Sequence, residues 1–417
     1  MKNKVFAALV ALTLVALVPY VAGAIDTDYV VVDPSPYVDS HAHVWGTKVV
    51  WRRAINIDND PYIDVLLEPS WIMMYDTASK ESINITPANV LNVWGDYESA
   101  EAPAIWGNKI IYEYQYGDDG WEDQLRMYNI SSGETWTVPI PITHTSGHSH
   151  NIHGEWILAS HYGTGNRQLY LYNYITTEFK TMISTADPYT ALDPCISNNH
   201  AIYTRYNPST LVFQVCIFNL TSYKLAILDA TDIGSNNLRS FDVYDYTLSL
   251  GVQKVTPVTT WDSYVYDLTA IPWDTFGISQ VFYWGSHISG NVTTVDDNST
   301  YDSYPGYIWG DWVAFNVDGT YNDVIAYNMA SNRTVNVTVN SYTQTVSGIY
   351  MDKIVWVDNR NGDTNYGNYS DNWDVYRTQT ASENVSELIW AILPLILVGM
   401  AVTAVAVAIK GIGGRGL

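Results

Sequence analysis

Basic residues are scarce in this chain. Lys+Arg number 20 against 43 Asp+Glu in 417 residues, and charged residues together reach only 15%. A net charge of −23 repels phosphate backbones and excludes nucleic acid as a partner. Lys, Glu and Leu are few while Tyr (33) and Trp (16) are many, a balance that favours strands over helices. It also excludes coiled coils and collagen-like fibres. Apolar residues make up 47%, which excludes a disordered chain. No serine nucleophile elbow, phosphate loop or dinucleotide fingerprint is present. Carboxylates abound, yet no pair is singled out for glycoside cleavage. Cysteine is limited to Cys195 and Cys216.

What is there begins at the two ends. Met1–Ala24 reads as a secretory signal peptide: Lys2 and Lys4, an apolar stretch Val5–Val21, then Ala22-Gly23-Ala24 as a cleavage pattern. An uncleaved amino-terminal anchor is the alternative. Leu388–Ile409 is an uncharged run that would span roughly 30 Å as a helix, the thickness of a bilayer core. Lys410 and Arg415 follow it, which puts the tail 410–417 in the cytoplasm. The expected organisation is signal 1–24, ectodomain 25–378, juxtamembrane linker 379–387, transmembrane helix 388–409 and tail. All 43 acids fall in 25–387 and four of the 20 basic residues fall outside it, so the ectodomain carries −27.

An eight-residue pattern recurs through that ectodomain: apolar, aromatic or small, a turn residue, two variable positions, two apolar residues and usually an aromatic. Clear copies are Val44–Trp51, Ile105–Tyr112 and Ile308–Phe315, with others starting at Ile152, Ile196, Val243 and Ile349. Starts are 61, 47, 44, 47, 65 and 41 residues apart. A second pattern follows each copy, an apolar–aromatic pair ending in Asn or Asp, as in Met74-Tyr75-Asp76, Met127-Tyr128-Asn129 and Ala326-Tyr327-Asn328. Four short strands per 40–50 residues is the arithmetic of a propeller blade. The chain is therefore predicted to be all-β, a single β-propeller of seven blades, six to eight being compatible, with a C-terminal transmembrane helix. In the fifth unit, 251–279 is expected as an insertion before a third strand Gln280–Trp284; the rival uses Val265–Thr269 as that strand. Tyr29–Val32 should supply the missing outer strand of the last blade and close the ring.

In the final unit, Ile354-Val355-Trp356-Val357-Asp358-Asn359-Arg360-Asn361-Gly362, followed by Trp373-Asp374-Val375-Tyr376, resembles the TolB-like β-propeller repeat of archaeal and bacterial cell-surface proteins. The resemblance implies a scaffold rather than an activity.

Candidate ligands are histidines and acids. His144, His148, His150 and His153 cluster, and His41 and His43 are read as their counterparts one blade earlier; His-x-His on a strand puts both rings on one face. His41, His43, His148, His150 and His153 are thus candidates for a transition metal such as zinc or copper. Asp358 and Asp363 head an Asp- and Asn-rich loop that could take calcium; solvated loops and hairpin turn chemistry are the competing explanation. Nine sequons, at Asn84, Asn129, Asn219, Asn291, Asn298, Asn332, Asn336, Asn368 and Asn384, agree with an exported glycoprotein. Cys195 and Cys216 fall on the first and third strands of one blade, roughly 9–10 Å apart, so two buried thiols are expected.

Strand direction adds an orientation. The chain should leave the last blade on the face of the third-to-fourth-strand turns, turning that face to the membrane and the acidic loops outward. These features predict a non-catalytic, type I single-pass protein of a cell surface or viral envelope, archaeal in character. Its propeller would serve adhesion, structure or recognition of an extracellular glycan or protein, with oligomeric state open. A glycan-acting, metal-assisted ectoenzyme is the alternative.

Overall fold

The structure is a computed structural model that describes residues 29–32, 38–54, 70–86, 99–116, 122–140, 149–162, 167–184, 186–235, 237–254, 260–296, 303–318, 322–338, 342–351, 353–358 and 374–378. The signal segment, the linker, Leu388–Ile409 and the tail lie outside the described residues. Among those described, no helix is long and apolar enough to cross a membrane.

Alternating apolar residues and two-residue turns build short antiparallel strands throughout. After β1 (Tyr29–Val31), the first blade holds β2 (Val38–Trp45), β3 (Lys48–Ala54), β4 (Ser70–Asp76) and β5 (Glu81–Asn84). The second holds β6 (Ser99–Trp106), β7 (Lys109–Tyr116), β8 (Glu122–Asn129) and β9 (Glu134–Thr137). The third holds β10 (Ser149–His153), β11 (Trp156–Tyr162), β12 (Arg167–Asn173) and β13 (Phe179–Ile183). The fourth holds β14 (Thr190–Ser197), β15 (His200–Asn207), β16 (Val212–Asn219) and β17 (Lys224–Asp229). The fifth opens with β18 (Leu238–Tyr244), β19 (Thr247–Lys254) and β20 (Thr260–Asp267); β21 (Ser279–Tyr283) then departs before β22 (Val292–Asp296) completes the sheet. The sixth holds β23 (Ser303–Trp309), β24 (Trp312–Val317), β25 (Asp323–Asn328) and β26 (Arg333–Asn336). The last holds β27 (Gln344–Tyr350), β28 (Lys353–Asp358) and β29 (Asp374–Thr378), with β1 as its outer strand.

The result is a seven-bladed β-propeller within Val30–Arg377. Each first strand packs on the first strand of the next blade, and β27 packs back on β2. The amino-terminal strand closes the ring as expected: the Val32 N–H donates to the Val375 carbonyl at 2.9 Å. Pairing β29 with β1 leaves no open edge at the seam.

The fifth blade corrects one expectation. Its third strand is Thr260–Asp267, which overlaps the rival Val265–Thr269 rather than Gln280–Trp284, and no eighth blade forms among the described residues. The excursion 268–291 lies between the third and fourth strands, and β21 adds in parallel to β17 of the preceding blade. The reason is burial. Phe282, Trp284 and Ile288 fill one apolar cluster with Leu228, Leu250 and Leu268, so the aromatic run serves the interface between blades rather than its own sheet.

Both repeated patterns acquire causes. The turn position is Gly46, Gly107, Gly154, Asn198, Asp245, Gly310 and Met351, all at positive φ, which the hairpins joining first to second strands require. The eighth position is Trp51, Tyr112, Ala159, Tyr203, Leu250, Phe315 and Trp356, every one buried between blades. The larger of these contribute roughly 1.5–3 kcal/mol each. The Asn or Asp ending the third strand of each of the first six blades accepts N–H bonds from the turn that follows, among them Asp76 from Ala78 (2.9 Å), Asn173 from Ile175 (3.0 Å), Asp267 from Thr269 (2.8 Å) and Asn328 from Ser331 (2.9 Å). Cys195 and Cys216 are buried free thiols with β15 between them, as expected.

Candidate functional site

The innermost strand of every blade lines a central channel, and each contributes two tiers of side chains. The outer tier, at the strand ends beside the hairpin turns, is Trp45, Trp106, His153, Ser197, Tyr244, Trp309 and Tyr350. It closes the channel with a plug. Ring centroids run from His153 to Trp106 (3.5 Å), Trp106 to Trp45 (3.6 Å), Trp45 to Tyr350 (4.7 Å), Tyr350 to Trp309 (4.2 Å) and Trp309 to Tyr244 (4.1 Å). Polar groups complete the circle where Ser197 interrupts the aromatics. Asp245 N–H donates to Ser197 Oγ (3.0 Å), Asn198 Nδ2 to Asp245 Oδ1 (2.6 Å), and Asn198 N–H to His153 Nδ1 (3.0 Å).

The tier two residues deeper is His43, Ala104, Asn151, Cys195, Asp242, Tyr307 and Gly348. His43 meets Tyr307 edge to face at 5.7 Å across Gly348. A Cβ on Gly348 would stand 3.4 Å from Val44 Cγ1 and 3.7 Å from His43 Cα, ordinary contact distances. Between the tiers lies a cavity of about 70 Å³, lined by residues of all seven inner strands, among them His43, Asn151, His153, Asp242 and Tyr307. That volume holds about five waters. Binding sites for drug-sized molecules are several times larger.

Enclosure sets the protonation of this tier. Burial, aided by His41, lowers His43 to about 4. His153 falls to about 4 through burial alone. Burial raises Asp242 to about 7 against the opposing N–H donors of Ile308 and Val243. The Ile308 bond measures 3.0 Å. Burial, then Asp242, pushes the Tyr307 phenol up. At neutral pH the channel therefore holds neutral imidazoles beside a carboxyl that shares its proton with solvent.

The structure separates the candidate metal ligands. His41 sits at positive φ in the β2 bulge, its Nδ1 3.1 Å from Ser40 Oγ. His43 stands in the deeper tier and His153 in the plug. His41 and His43 are on the first blade, two blades before His150 and His153 rather than one, because the second blade carries Ala102 and Ala104 in their places. His150 is half-buried on β10, and His148 lies outside the described residues. Asp358 is buried at the end of β28, opposite Gln344 and Asp374; Asp363 lies outside the described residues. Among the described residues no three His, Cys, Asp or Glu side chains group to hold a metal ion. Asp242, Tyr307 and Asn151 escaped the sequence reading; aligning the repeats on the turn residue and stepping back three positions would have exposed that tier.

The sequons divide by burial. Asn84, Asn291, Asn332 and Asn336 are exposed and Asn129 is half-buried. Asn219 is buried, and its Oδ1 accepts from Thr221 N–H (3.0 Å) and Ser222 N–H (2.8 Å). Asn129 likewise accepts from Ser131 N–H at 3.2 Å, so two sequons arise from turn chemistry. Asn298, Asn368 and Asn384 lie outside the described residues.

No family model and no curated protein matches the chain. Solved structures do. The β-propeller domain of the Trilobed protease from Pyrococcus furiosus, described as having an open velcro topology, matches with a TM-score of 0.52 at 8% identity, covering 77% of this chain and 89% of that one. The acylaminoacyl peptidase of Pyrococcus horikoshii matches with a TM-score of 0.53 at 7% identity, covering 81% and 50%. TolB from Acinetobacter baumannii aligns with a TM-score of 0.39 at 10% identity over 79% and 80%. The chain spans about half the length of the acylaminoacyl peptidases and prolyl endopeptidases it matches. At these identities the likeness shows the fold alone.

Proposed function

We propose that this chain is a non-catalytic, membrane-anchored surface protein whose seven-bladed propeller serves adhesion, envelope structure or recognition of an extracellular glycan or protein. One observation carries the reading. The blades occupy Val30–Arg377 from end to end, and the longest stretches between described residues there, 55–69 and 359–373, are 15 residues, too short for a second folded domain. The channel supports the same reading, because a cavity of about 70 Å³ is small against a polymer substrate. The signal pattern at Met1–Ala24 and the run Leu388–Ile409 supply the topology.

The test has two arms. Protease applied to intact cells should digest the propeller and leave an epitope on the tail 410–417 protected. The purified protein should bind a defined glycan or cell surface without turning it over. Turnover of a glycan or peptide substrate, or stoichiometric zinc or copper by elemental analysis, would overturn the non-catalytic reading.

A further inference from the structure

The excursion from the fifth blade builds an edge unlike the others. β21 adds in parallel to β17 in unbroken register, from Leu225 opposite Ser279 to Asp229 opposite Tyr283, and is the last strand of a five-stranded sheet. The Leu225 N–H donates to the Ile278 carbonyl at 2.8 Å. That bond sets the phase: Gln280 and Phe282 turn their amide groups to β17, while Ser279, Val281 and Tyr283 turn theirs outward. Among the described residues nothing hydrogen-bonds the outward N–H and C=O of Ser279 and Val281. The Tyr283 carbonyl faces Ser286 Oγ at 3.5 Å, in the turn that follows.

Sheet edges that stay single are kept short or charged. The outer strands β5, β9, β13, β22 and β26 carry Glu81, Glu134, Lys180, Asp296 and Arg333, and β1 is three residues long. β21 has neither guard. It holds five residues without charge, proline or bulge, and the stretch 275–286 contains no Asp, Glu, Lys or Arg. Charged groups stand at its two ends. Lys224, which donates to the Trp273 carbonyl, and Asp274 are near Ile278; Asp232, which accepts from the Gly285 N–H at 2.7 Å, lies beyond Tyr283. Apolar side chains flank the edge: Ile278 is 83% exposed, Tyr283 45%, and Tyr223, two residues before Leu225, 50%.

We propose that β21 is a dimerisation edge, on which a second copy of this chain lays its own β21 antiparallel across a two-fold axis. Two observations choose a second copy. The outward residues are symmetric about Val281. With Val281 opposite its counterpart, Ser279 stands opposite Tyr283, and every outward residue meets an outward residue, as an antiparallel ladder requires. Charge is the other: at −23, two copies repel over their acidic surface and approach best along an uncharged strip. The pairing gives two hydrogen bonds between the Val281 residues and one from each Tyr283 N–H to the Ser279 carbonyl of the other copy. It sets a β-branched side chain against itself at the centre and brings each Ile278 beside the Tyr283–Trp284 step of the other copy. Two five-stranded sheets become one.

The test uses the full chain in detergent micelles, where both native thiols are buried. Analytical ultracentrifugation should show a dimer that dissociates on dilution. Val281→Cys should form a disulfide-linked dimer on mild oxidation, because a hydrogen-bonded antiparallel pair holds its Cα atoms about 5.5 Å apart, within disulfide reach. Ser279→Cys alone should not, since four residues of strand set it roughly 13 Å from its counterpart. Thr135→Cys, exposed on β9, should not either. Ser279→Glu/Tyr283→Glu changes two exposed side chains, sets carboxylate opposite carboxylate and should weaken the dimer about tenfold or more. Ser279→Glu/Tyr283→Lys sets opposite charges together and should restore it. A chain that stays monomeric at every concentration would overturn the proposal. So would a dimer that cross-links as readily through Thr135→Cys, or one indifferent to the Glu/Glu exchange, since its interface then lies elsewhere. Equal loss in both double variants would overturn the antiparallel register.

Discussion

The two tiers of the inner strands obey different rules. At the strand ends, six of seven positions are aromatic or histidine, and they touch one another in a nearly unbroken circle. Two residues deeper, seven blades supply seven different residue types. Convergence at the plug forces large flat rings that stack, because small residues would leave the narrow end of the channel open. In the deeper tier each side chain answers to its own neighbours: an imidazole meets a phenol edge to face, and a carboxyl accepts from the Ile308 N–H. Uniformity marks what the ring needs to close; variety marks where chemistry is free to differ.

The strongest way to break this comparison is to open the ring. Deleting Asp26–Pro36 removes β1, exposes the β29 edge and should lower the melting temperature by about 10 °C or more. Thermal unfolding matching the intact protein would show that the seam does not need β1. Next in size, Trp45→Ala removes a plug ring that meets Trp106, Trp309 and Tyr350, and should cost about 3 kcal/mol in denaturant unfolding. Unchanged stability would make the plug decorative.

The deeper tier should answer to pH instead. Asp242 rises from 3.8 to about 7 in the fold, so the fold favours its protonated form. The stabilisation this confers is complete below about pH 3.8 and is lost as pH rises through about 7. Asp242→Asn should therefore gain about 2 kcal/mol at mildly alkaline pH and nothing in acid. Equal stability of the two proteins across that range would refute the placement.

His200 gives the opposite sign. It is buried between Trp273 and Tyr246, neither ring nitrogen hydrogen-bonds among the described residues, and burial lowers it from 6.5 to about 4 against the raising effect of Asp245. Its neutral form supports the fold above pH 6.5, and that support is lost as pH falls towards 4. His200→Phe should add about 1–2 kcal/mol and flatten the acid limb of the stability profile. The smallest effect belongs to turn chemistry. Asn328→Ala loses acceptance from Ser331 N–H (2.9 Å) and Oγ (2.8 Å) and should cost about 1 kcal/mol in the same assay.

Much of the ring was legible in the residues because its signals are local. The hairpin position needs positive φ, met by Gly, Asn or Asp in six blades and by Met351 in the seventh; the end of the third strand carries an Asn or Asp acceptor in the first six; the eighth repeat position is bulky in all but Ala159. Each requirement recurs from blade to blade and appears as period. The fifth blade was misread because Val281, Phe282 and Trp284 carry a strand-like apolar pattern without revealing which sheet receives it. The cluster with Leu228 and Leu268 decides that, and it joins residues more than 50 positions apart.

The site was the least legible part. His150 and His153 are near neighbours in sequence, yet one is half-buried along β10 and the other is stacked on Trp106 in the plug. Tyr307 and His43 are separated by most of the chain and meet in the channel. Sequence by itself determined the all-β class, the blade period, the closing strand and the buried thiols, since strand pairing and burial follow patterns a few residues long. Only the tertiary structure decided which side chains share the channel and which carboxyl is pushed up to about 7. Those outcomes depend on closure of the ring, which brings residues from all seven blades to one axis and removes them from water.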